Sequence, residues 1–132
     1  MVNISLIGLG QRGLATSERL ALLPNANVVL RCDKDTDWQE AASHSDVDLV
    51  WICTPWEWHV RMAVFAMQAG KDVALEVPAA MTVAECETLL SVARETGRHC
   101  VMLENCCYDT WHLGVREIVR RGIIGRVKHL EG

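Results

Sequence analysis

Three glycines and an aspartate form the most informative pattern in the sequence. Gly8, Gly10 and Gly13 lie in one short turn, and Asp33 follows Gly13 by 20 residues. Between a strand and a helix, such glycines permit a tight bend, the close approach of a pyrophosphate, and close packing of the helix on the strand. An acidic residue at this distance can bind a ribose 2′-hydroxyl. The pattern predicts a site for a nicotinamide dinucleotide.

The charged residues near this turn bear on which dinucleotide is expected. The carboxylate of Asp33 would repel a 2′-phosphate, so NAD is favoured over NADP. Arg12 and Lys34 lie close enough to keep NADP as an alternative. A tight turn followed by a surface aspartate is the simpler interpretation of the same residues.

Polar and aromatic residues follow three further apolar runs. These residues are Thr54, Pro55, Trp56, Glu57, Trp58 and His59, then Glu76, Val77 and Pro78, then Glu104, Asn105, Cys106, Cys107 and Tyr108. In open α/β sheets, ligands bind outside the carboxyl ends of the strands. The three segments therefore predict the rim of one crevice.

Each residue of this rim also has a simpler interpretation. His59 is typical of a surface residue in a first helical turn, and Trp56 and Trp58 are compatible with packing against a neighbouring domain. Glu76 can be a plain strand end, and Asn105 can be a turn residue. Their clustering favours a ligand site.

The elements that must position these residues alternate between strand and helix. Strands are predicted at residues 2–7, 28–32, 49–53, 73–76 and 100–103, and helices at 13–23, 57–69, 83–96 and about 110–121. Thr82 and Glu85 have the spacing of a capping box for the third of these helices. This alternation predicts a Rossmann-type, doubly wound α/β fold with a mostly parallel sheet.

Two irregularities interrupt the regular alternation. Only 15 residues separate Asp33 from the strand at 49, with room for one short helix near residues 37–42. A full helix-and-strand unit needs roughly 30 residues, so one crossover is predicted to be abbreviated. Residues 125–130 are predicted to begin another strand.

The composition indicates a small-molecule ligand. The chain has 132 residues, 50% of them hydrophobic, and a formal net charge of −4. It has no basic block, which argues against nucleic acid or an anionic membrane as partner. The cysteines and histidines lack metal-site spacing, so no metal is expected.

The sequence also bears on where the protein is expected to be found. Without an apolar run of about 18 residues or a leader, we expect a cytoplasmic protein, or an exported one if a signal preceded Met1. Homo-oligomerisation stays open.

Three motifs occur in an order typical of a known group: the glycine turn, Thr-Pro-x-x-x-His at 54–59 and Glu-x-Pro at 76–78. In these motifs the sequence resembles the sugar oxidoreductase superfamily that includes glucose-fructose oxidoreductase and inositol dehydrogenase. Most of its dehydrogenases carry Glu-Lys-Pro, whereas this chain has Val77. Val77 and four longer segments are instead similar to the NAD-dependent glycosidases of glycoside hydrolase family 109. These segments are residues 11–13, 55–59, 76–81 and 103–109.

The resemblance implies an α-N-acetylgalactosaminidase that uses and regenerates NAD in each turnover. NAD would take a hydride from C3 of the sugar, elimination would expel the aglycone, water would add, and the hydride would return. Such enzymes are exceptions to the scheme with two carboxylates. Matching positions imply cofactor contacts for Gln11, Arg12, Asp33, Trp56, Glu57, Trp58, His59, Glu76, Val77 and Asn105. Glu76 and Tyr108 would also face the sugar.

The resemblance also implies a second domain. Family members usually have a sheet-containing domain that supplies most substrate contacts, so the catalytic acid and base stay unassigned in this chain. We expect residues 1–124 to form the dinucleotide-binding domain and residues 125–132 to begin a C-terminal substrate domain. The isolated chain would then be inactive.

Two alternatives remain at this stage. One is an NAD(P)-dependent sugar dehydrogenase of the same superfamily, against which Val77 argues. The other is a non-catalytic NAD-binding module. The short stretch after Asp33 departs from the family, which normally has another helix and strand there.

Overall fold

A five-stranded parallel sheet forms the centre of the fold in the computed structural model, which describes residues 1–131. The strands are β1 (Val2–Ile7), β2 (Ala26–Cys32), β3 (Leu49–Ile52), β4 (Asp72–Leu75) and β5 (Cys100–Met102). The helices are α1 (Gln11–Leu20), α2 (Trp38–Ser43), α3 (Trp56–Gln68), α4 (Val83–Thr96) and α5 (Thr110–Arg120), with a 3₁₀ helix at Asn105–Tyr108. The predicted Rossmann-type α/β fold is confirmed.

The order of the strands fixes where a ligand can bind. That order is β2-β1-β3-β4-β5, with all neighbouring strands parallel. The chain moves to one side from β1 to β2 and to the other side from β3 to β5, so the switch point lies between β1 and β3. The ends of these two strands are in register, with Ile7 opposite Ile52. The crevice outside them is the expected ligand site of such a sheet.

The two faces of the sheet are covered unequally. Helices α2, α3 and α4 pack side by side over one face, where Val50, Ile52, Met67 and Leu75 are all 0% exposed. Right-handed crossovers place α1 on the opposite face, because the step from β1 to β2 runs in the opposite direction. On that face Val101 of β5 is 56% exposed. The core that positions the site therefore lies mainly under α2, α3 and α4.

The crossover between β2 and β3 is as short as predicted. It contains only the six-residue α2, and β2 is the edge strand. The Asp37 carboxylate caps α2 by accepting hydrogen bonds from the backbone N–H groups of Gln39 (2.9 Å) and Glu40 (3.3 Å). Ala42 anchors the helix in the core at 0% exposure. A well-made cap and one small buried side chain hold this short element in place.

Most predicted boundaries agree with the structure, and the capping box of α4 is present. The Thr82 hydroxyl accepts from the Glu85 backbone N–H at 3.2 Å, and the Glu85 carboxylate accepts from the Thr82 backbone N–H at 3.0 Å. Helix α1 begins at Gln11 rather than at residue 13, because Gly10 is already its N-cap.

The strand predicted at residues 125–130 is wrong. Residues 126–131 have no regular secondary structure. A strand needs a neighbour to share its backbone hydrogen bonds, and none of the five strands pairs with this segment. Among residues 1–131, no helix has the length and apolar character needed to cross a membrane.

Candidate functional site

The glycine turn is held tightly between the ends of β1 and β3. Gly8 has φ +93°, and a Cβ placed on it would lie 2.6 Å from the Cys53 carbonyl oxygen. A Cβ on Gly13 would overlap the Gly8 carbonyl oxygen. Neither position accepts a side chain, because each would contact backbone that cannot move away.

Gly10 differs from the other two glycines of the turn. A Cβ built on it meets nothing within 4 Å, so open space lies over this part of the backbone. Gly10 is also the N-cap of α1, and no side chain caps this helix. The first backbone N–H groups of α1, with the positive end of its dipole, are thus available to an anion. This arrangement fits a pyrophosphate.

One cavity lies at the β2 side of the crevice, and we call it the Asp33 cavity. Its volume is about 260 Å³. Its lining includes Gly8, Asp33, Trp38, Thr54, Pro55 and Trp58. The loop carrying Asp33 is ordered by local contacts: Asp33 Oδ1 accepts from the Lys34 N–H at 2.9 Å, and the Asp33 N–H donates to Thr36 Oγ1 at 2.9 Å. An acidic group thus borders a cavity that is otherwise rich in apolar surface.

A second cavity lies between α1 and the segment that runs from β5 to the 3₁₀ helix, with Glu76 on its border, and we call it the Glu76 cavity. Its volume is about 440 Å³. Its lining includes Arg12, Thr16, Trp51, Glu76, Asn105 and Tyr108. The two residues expected to face the sugar, Glu76 and Tyr108, therefore border the same space.

Charged and polar groups meet beside the Glu76 cavity. Arg12 Nε lies 2.9 Å from Glu76 Oε2, and Arg12 Nη2 donates to Asn105 Oδ1 at 3.3 Å. The Glu76 residue is only 8% exposed. Arg12 therefore connects the glycine turn to the segments that follow β4 and β5. The ion pair holds the Glu76 carboxylate on the side that faces the turn.

His59 is a buried connector between two loops of the rim. It is 0% exposed, so its interpretation as a surface residue is wrong. Its ring nitrogens lie 2.8 Å from the Pro78 carbonyl oxygen and 2.9 Å from the Thr54 carbonyl oxygen. The ring thereby ties the loop after β3 to the loop after β4, next to Val77.

The cysteines near the site are poorly suited to be nucleophiles. Burial, with a further contribution from the charge of Glu76, raises the pKa of the Cys53 thiol to about 11. A hydrogen bond to Glu104, together with its charge, raises the pKa of Cys106. Because the reactive form of cysteine is the thiolate, both thiols stay protonated and unreactive near neutral pH. Among residues 1–131, no cluster of three or more His, Cys, Asp or Glu side chains could hold a metal ion.

The structure does not bring every predicted residue to a cavity. Gln11, Trp56 and Glu57 are exposed, Trp56 at 57%, and they lie outside both cavities, as do Val77 and the fully buried His59. Conversely, Trp38 lines the Asp33 cavity and was not singled out from the sequence. Its only sequence signal is its place directly after the Asp37 cap in the abbreviated crossover.

The parallel sheet, the glycine turn and the uncapped helix are those of a dinucleotide-binding domain. Comparison with protein families agrees: residues 2–104 match the oxidoreductase family with the NAD-binding Rossmann fold. The chain belongs to this family, whose Rossmann fold binds NAD.

Curated relatives include glycosidases. A glycosyl hydrolase family 109 protein of Phocaeicola vulgatus is 38% identical over 157 aligned positions, which cover 100% of this chain and 38% of the relative. An alpha-N-acetylgalactosaminidase of Bacteroides fragilis is 37% identical, over 100% of this chain and 37% of the relative. The chain thus spans about two fifths of the length of these relatives.

Solved structures with the same fold include dehydrogenases. An NAD binding oxidoreductase from Klebsiella pneumoniae has a TM-score of 0.85 and 27% identity, and the match covers 94% of this chain and 40% of that one. A scyllo-inositol dehydrogenase from Lactobacillus casei, solved with bound NAD(H) and scyllo-inositol, has a TM-score of 0.85 and 20% identity, with 95% and 42% covered. The second likeness supports the fold alone.

Proposed function

We propose that the chain is the cofactor-binding part of a glycosidase that hydrolyses terminal N-acetylgalactosaminides. The observation that carries the proposal is the 37–38% identity to glycosidase relatives along the entire chain. Val77 in place of the lysine of the related dehydrogenases points the same way.

The chain's own residues would hold the cofactor in a defined orientation. The backbone at Gly10 and the first N–H groups of α1 bind the pyrophosphate, while the Asp33 carboxylate accepts hydrogen bonds from the ribose hydroxyls. His59 keeps the loops after β3 and β4 at a fixed separation through its two carbonyl contacts. Bound NAD supplies a reversible hydride transfer at C3 of the sugar.

Glu76 and Tyr108 would form the sugar-facing side of the site. Both line the Glu76 cavity, and Arg12 holds the Glu76 carboxylate at 2.9 Å. We assign the remaining substrate contacts, and the catalytic acid and base, to a second domain, with residues 1–124 as the dinucleotide-binding domain and residues 125–132 leading out of it.

A sugar dehydrogenase is the second candidate. The 27% identity to an NAD binding oxidoreductase over 94% of this chain favours it. The two candidates differ in what accumulates: a glycosidase returns its hydride within one turnover, and a dehydrogenase produces reduced cofactor. A third outcome is a domain that binds NAD without turning over a sugar.

The experiment uses the full-length gene product with an aryl α-N-acetylgalactosaminide. Aglycone release and the absorbance of reduced nicotinamide are followed together, with Glu76→Gln as the variant and Glu87→Gln, at an exposed position of α4 outside both cavities, as its matched control. We expect aglycone release without net reduction, and slower release in Glu76→Gln only. Net reduction without release overturns the glycosidase in favour of the dehydrogenase. If NAD binds and neither signal appears, the non-catalytic module is the better account.

A further inference from the structure

The abbreviated crossover places an indole directly beside the Asp33 loop. Helix α2 begins at Trp38, five residues after Asp33, and the Asp37 cap fixes its first turn. A longer connection would lead the chain away from the crevice after Asp33. Here the first helical residue still borders the Asp33 cavity.

Trp38 is held in this place from two sides. Its ring packs edge to face on Phe65 of α3, with the ring centroids 5.2 Å apart and an interplanar angle of 75°. The Arg61 guanidinium lies 5.7 Å from the Trp38 ring centroid and 5.2 Å from that of Trp58. Both distances are typical of cation–π contacts. One arginine thus joins the two indoles that line the cavity.

The order of groups around the cavity matches the order of groups in half a dinucleotide. Gly8 belongs to the glycine turn that would bind the pyrophosphate, Asp33 is the expected ribose acceptor, and both indoles belong to the same lining. A base is attached directly to its ribose. If the ribose binds Asp33, the base attached to it must lie in or beside the same cavity. Trp38 and Trp58 line that cavity, and indole rings can stack on a base.

We propose that Trp38 and Trp58, joined by Arg61, form the wall that binds the adenine base of NAD. Trp38 is then a determinant of cofactor affinity that the abbreviated crossover itself supplies. This inference rests on NAD binding and is independent of the sugar chemistry. It gives the short α2 a function in the site besides connecting two strands.

The test compares ligands with and without adenine on the same chain. Dissociation constants for NAD, ADP-ribose and nicotinamide mononucleotide are measured by calorimetry, or by displacement of a fluorescent NAD analogue. In Trp38→Ala we expect weaker binding of NAD and ADP-ribose by at least about 5-fold, the lower range for loss of one base–aromatic stack. Binding of nicotinamide mononucleotide stays unchanged. Trp38→Phe, which keeps an aromatic face, retains most of the affinity.

Two further variants separate stacking from folding. Trp58→Ala removes the other indole. Because this side chain is 37% exposed, its removal leaves little cavity in the core. We expect the same loss of affinity for the two ligands that contain adenine. Trp111→Ala, on α5 at 86% exposure and outside both cavities, leaves all three affinities unchanged. Circular dichroism and the melting temperature of each variant show whether it is folded.

The outcomes distinguish this proposal from the cofactor assignment. An equal loss for all three ligands, or no loss for any in Trp38→Ala and Trp58→Ala, overturns the adenine wall while NAD binding stands. If Trp38→Ala is unfolded, Trp58→Ala decides by the same criterion. If the unaltered chain binds neither NAD nor ADP-ribose, the cofactor assignment itself is wrong and the wall falls with it.

Discussion

The Asp33 cavity and the Glu76 cavity lie at two ends of one crevice, yet different kinds of contact build them. At the Asp33 end, a loop orders itself through contacts between close neighbours, such as those of Asp33 with Lys34 and Thr36. At the Glu76 end, Arg12 reaches Glu76 and Asn105, the latter 93 residues away in sequence. Two indoles line the first end together with the charged Asp33 and Lys34, which suits binding of a base and its ribose. At the second end the Glu76 carboxylate is paired with Arg12 within a largely apolar lining, which suits holding that carboxylate in one place.

This contrast indicates a division of labour across the switch point. Cofactor affinity should depend mainly on the Asp33 end, and orientation of the reacting groups mainly on the Glu76 end. The glycine turn is common to both ends, since Gly8 lines the Asp33 cavity and Arg12 lines the Glu76 cavity. Substitutions at the turn should therefore have the largest effects.

The largest effect is expected for Gly13→Ala. The new Cβ overlaps the Gly8 carbonyl oxygen, and moving backbone to relieve it should cost about 3 kcal/mol or more. Urea denaturation measures the loss. Gly10→Ala is the matched control, since its Cβ meets open space. It should cost the fold about 1 kcal/mol at most but weaken NAD binding, because the methyl group stands where the pyrophosphate approaches. Equal stability losses in both variants would contradict this account of the turn.

Asp33→Ala comes next and tests the binding end alone. The ribose hydroxyls lose a charged acceptor, so NAD affinity should fall by about 1.5–3 kcal/mol, measured by calorimetry. Nicotinamide mononucleotide, which lacks the adenosine half, should bind unchanged. Asp35→Ala alters a carboxylate in the same exposed loop that does not line the cavity, and serves as control. An unchanged dissociation constant for NAD in Asp33→Ala removes Asp33 from the site.

A smaller effect is expected for the ion pair at the other end. The Arg12 side chain is 42% exposed and that of Glu76 is 11% exposed, so solvent screens the pair and its coupling should be about 1 kcal/mol or less. A double-mutant cycle with Arg12→Gln and Glu76→Gln, read by urea denaturation, measures this coupling. A coupling close to zero would mean that Arg12 does not hold Glu76 in solution.

The same contrast explains how much could be predicted from the sequence. The glycine turn, Asp33 and the shortness of the crossover follow from spacing along the chain, and the structure shows all three. The ion pair of Arg12 with Glu76 could not be predicted, because it depends on how β4 is placed beside the turn. Burial of His59 likewise depends on the loop after β4 closing over it.

Two failures have the same physical origin. The role of Trp38 could not be predicted from the sequence, because the position of its side chain depends on how α2 packs against α3. The strand predicted at residues 125–130 is wrong because a segment becomes a strand only when another strand pairs with it. The roles of the individual site residues, Asp33 and Glu76 included, remain predictions that the variants above test.

The last effect, which is confined to alkaline pH, concerns Cys53, a thiol beside the turn whose pKa depends on the charge of Glu76. Burial, and then the charge of Glu76, raises the pKa of this thiol from 9.0 to about 11 in the folded chain. The folded state thus keeps a proton that the unfolded chain releases, so the thiol's contribution to stability is complete below pH 9. It is lost as the pH rises through about 11.

Between pH 9 and about 11, the free energy of unfolding measured by urea denaturation should fall as the pH rises. The fall should be smaller in Cys53→Ala than in the unaltered chain. Cys86→Ala, at an exposed position on α4, is the control and should keep the fall seen in the unaltered chain. Because the charge of Glu76 is one cause of the raised pKa, Glu76→Gln should move the fall to lower pH. If stability falls at the same pH in Glu76→Gln, burial alone raises the pKa of Cys53. The charge of Glu76 then has no effect on this thiol.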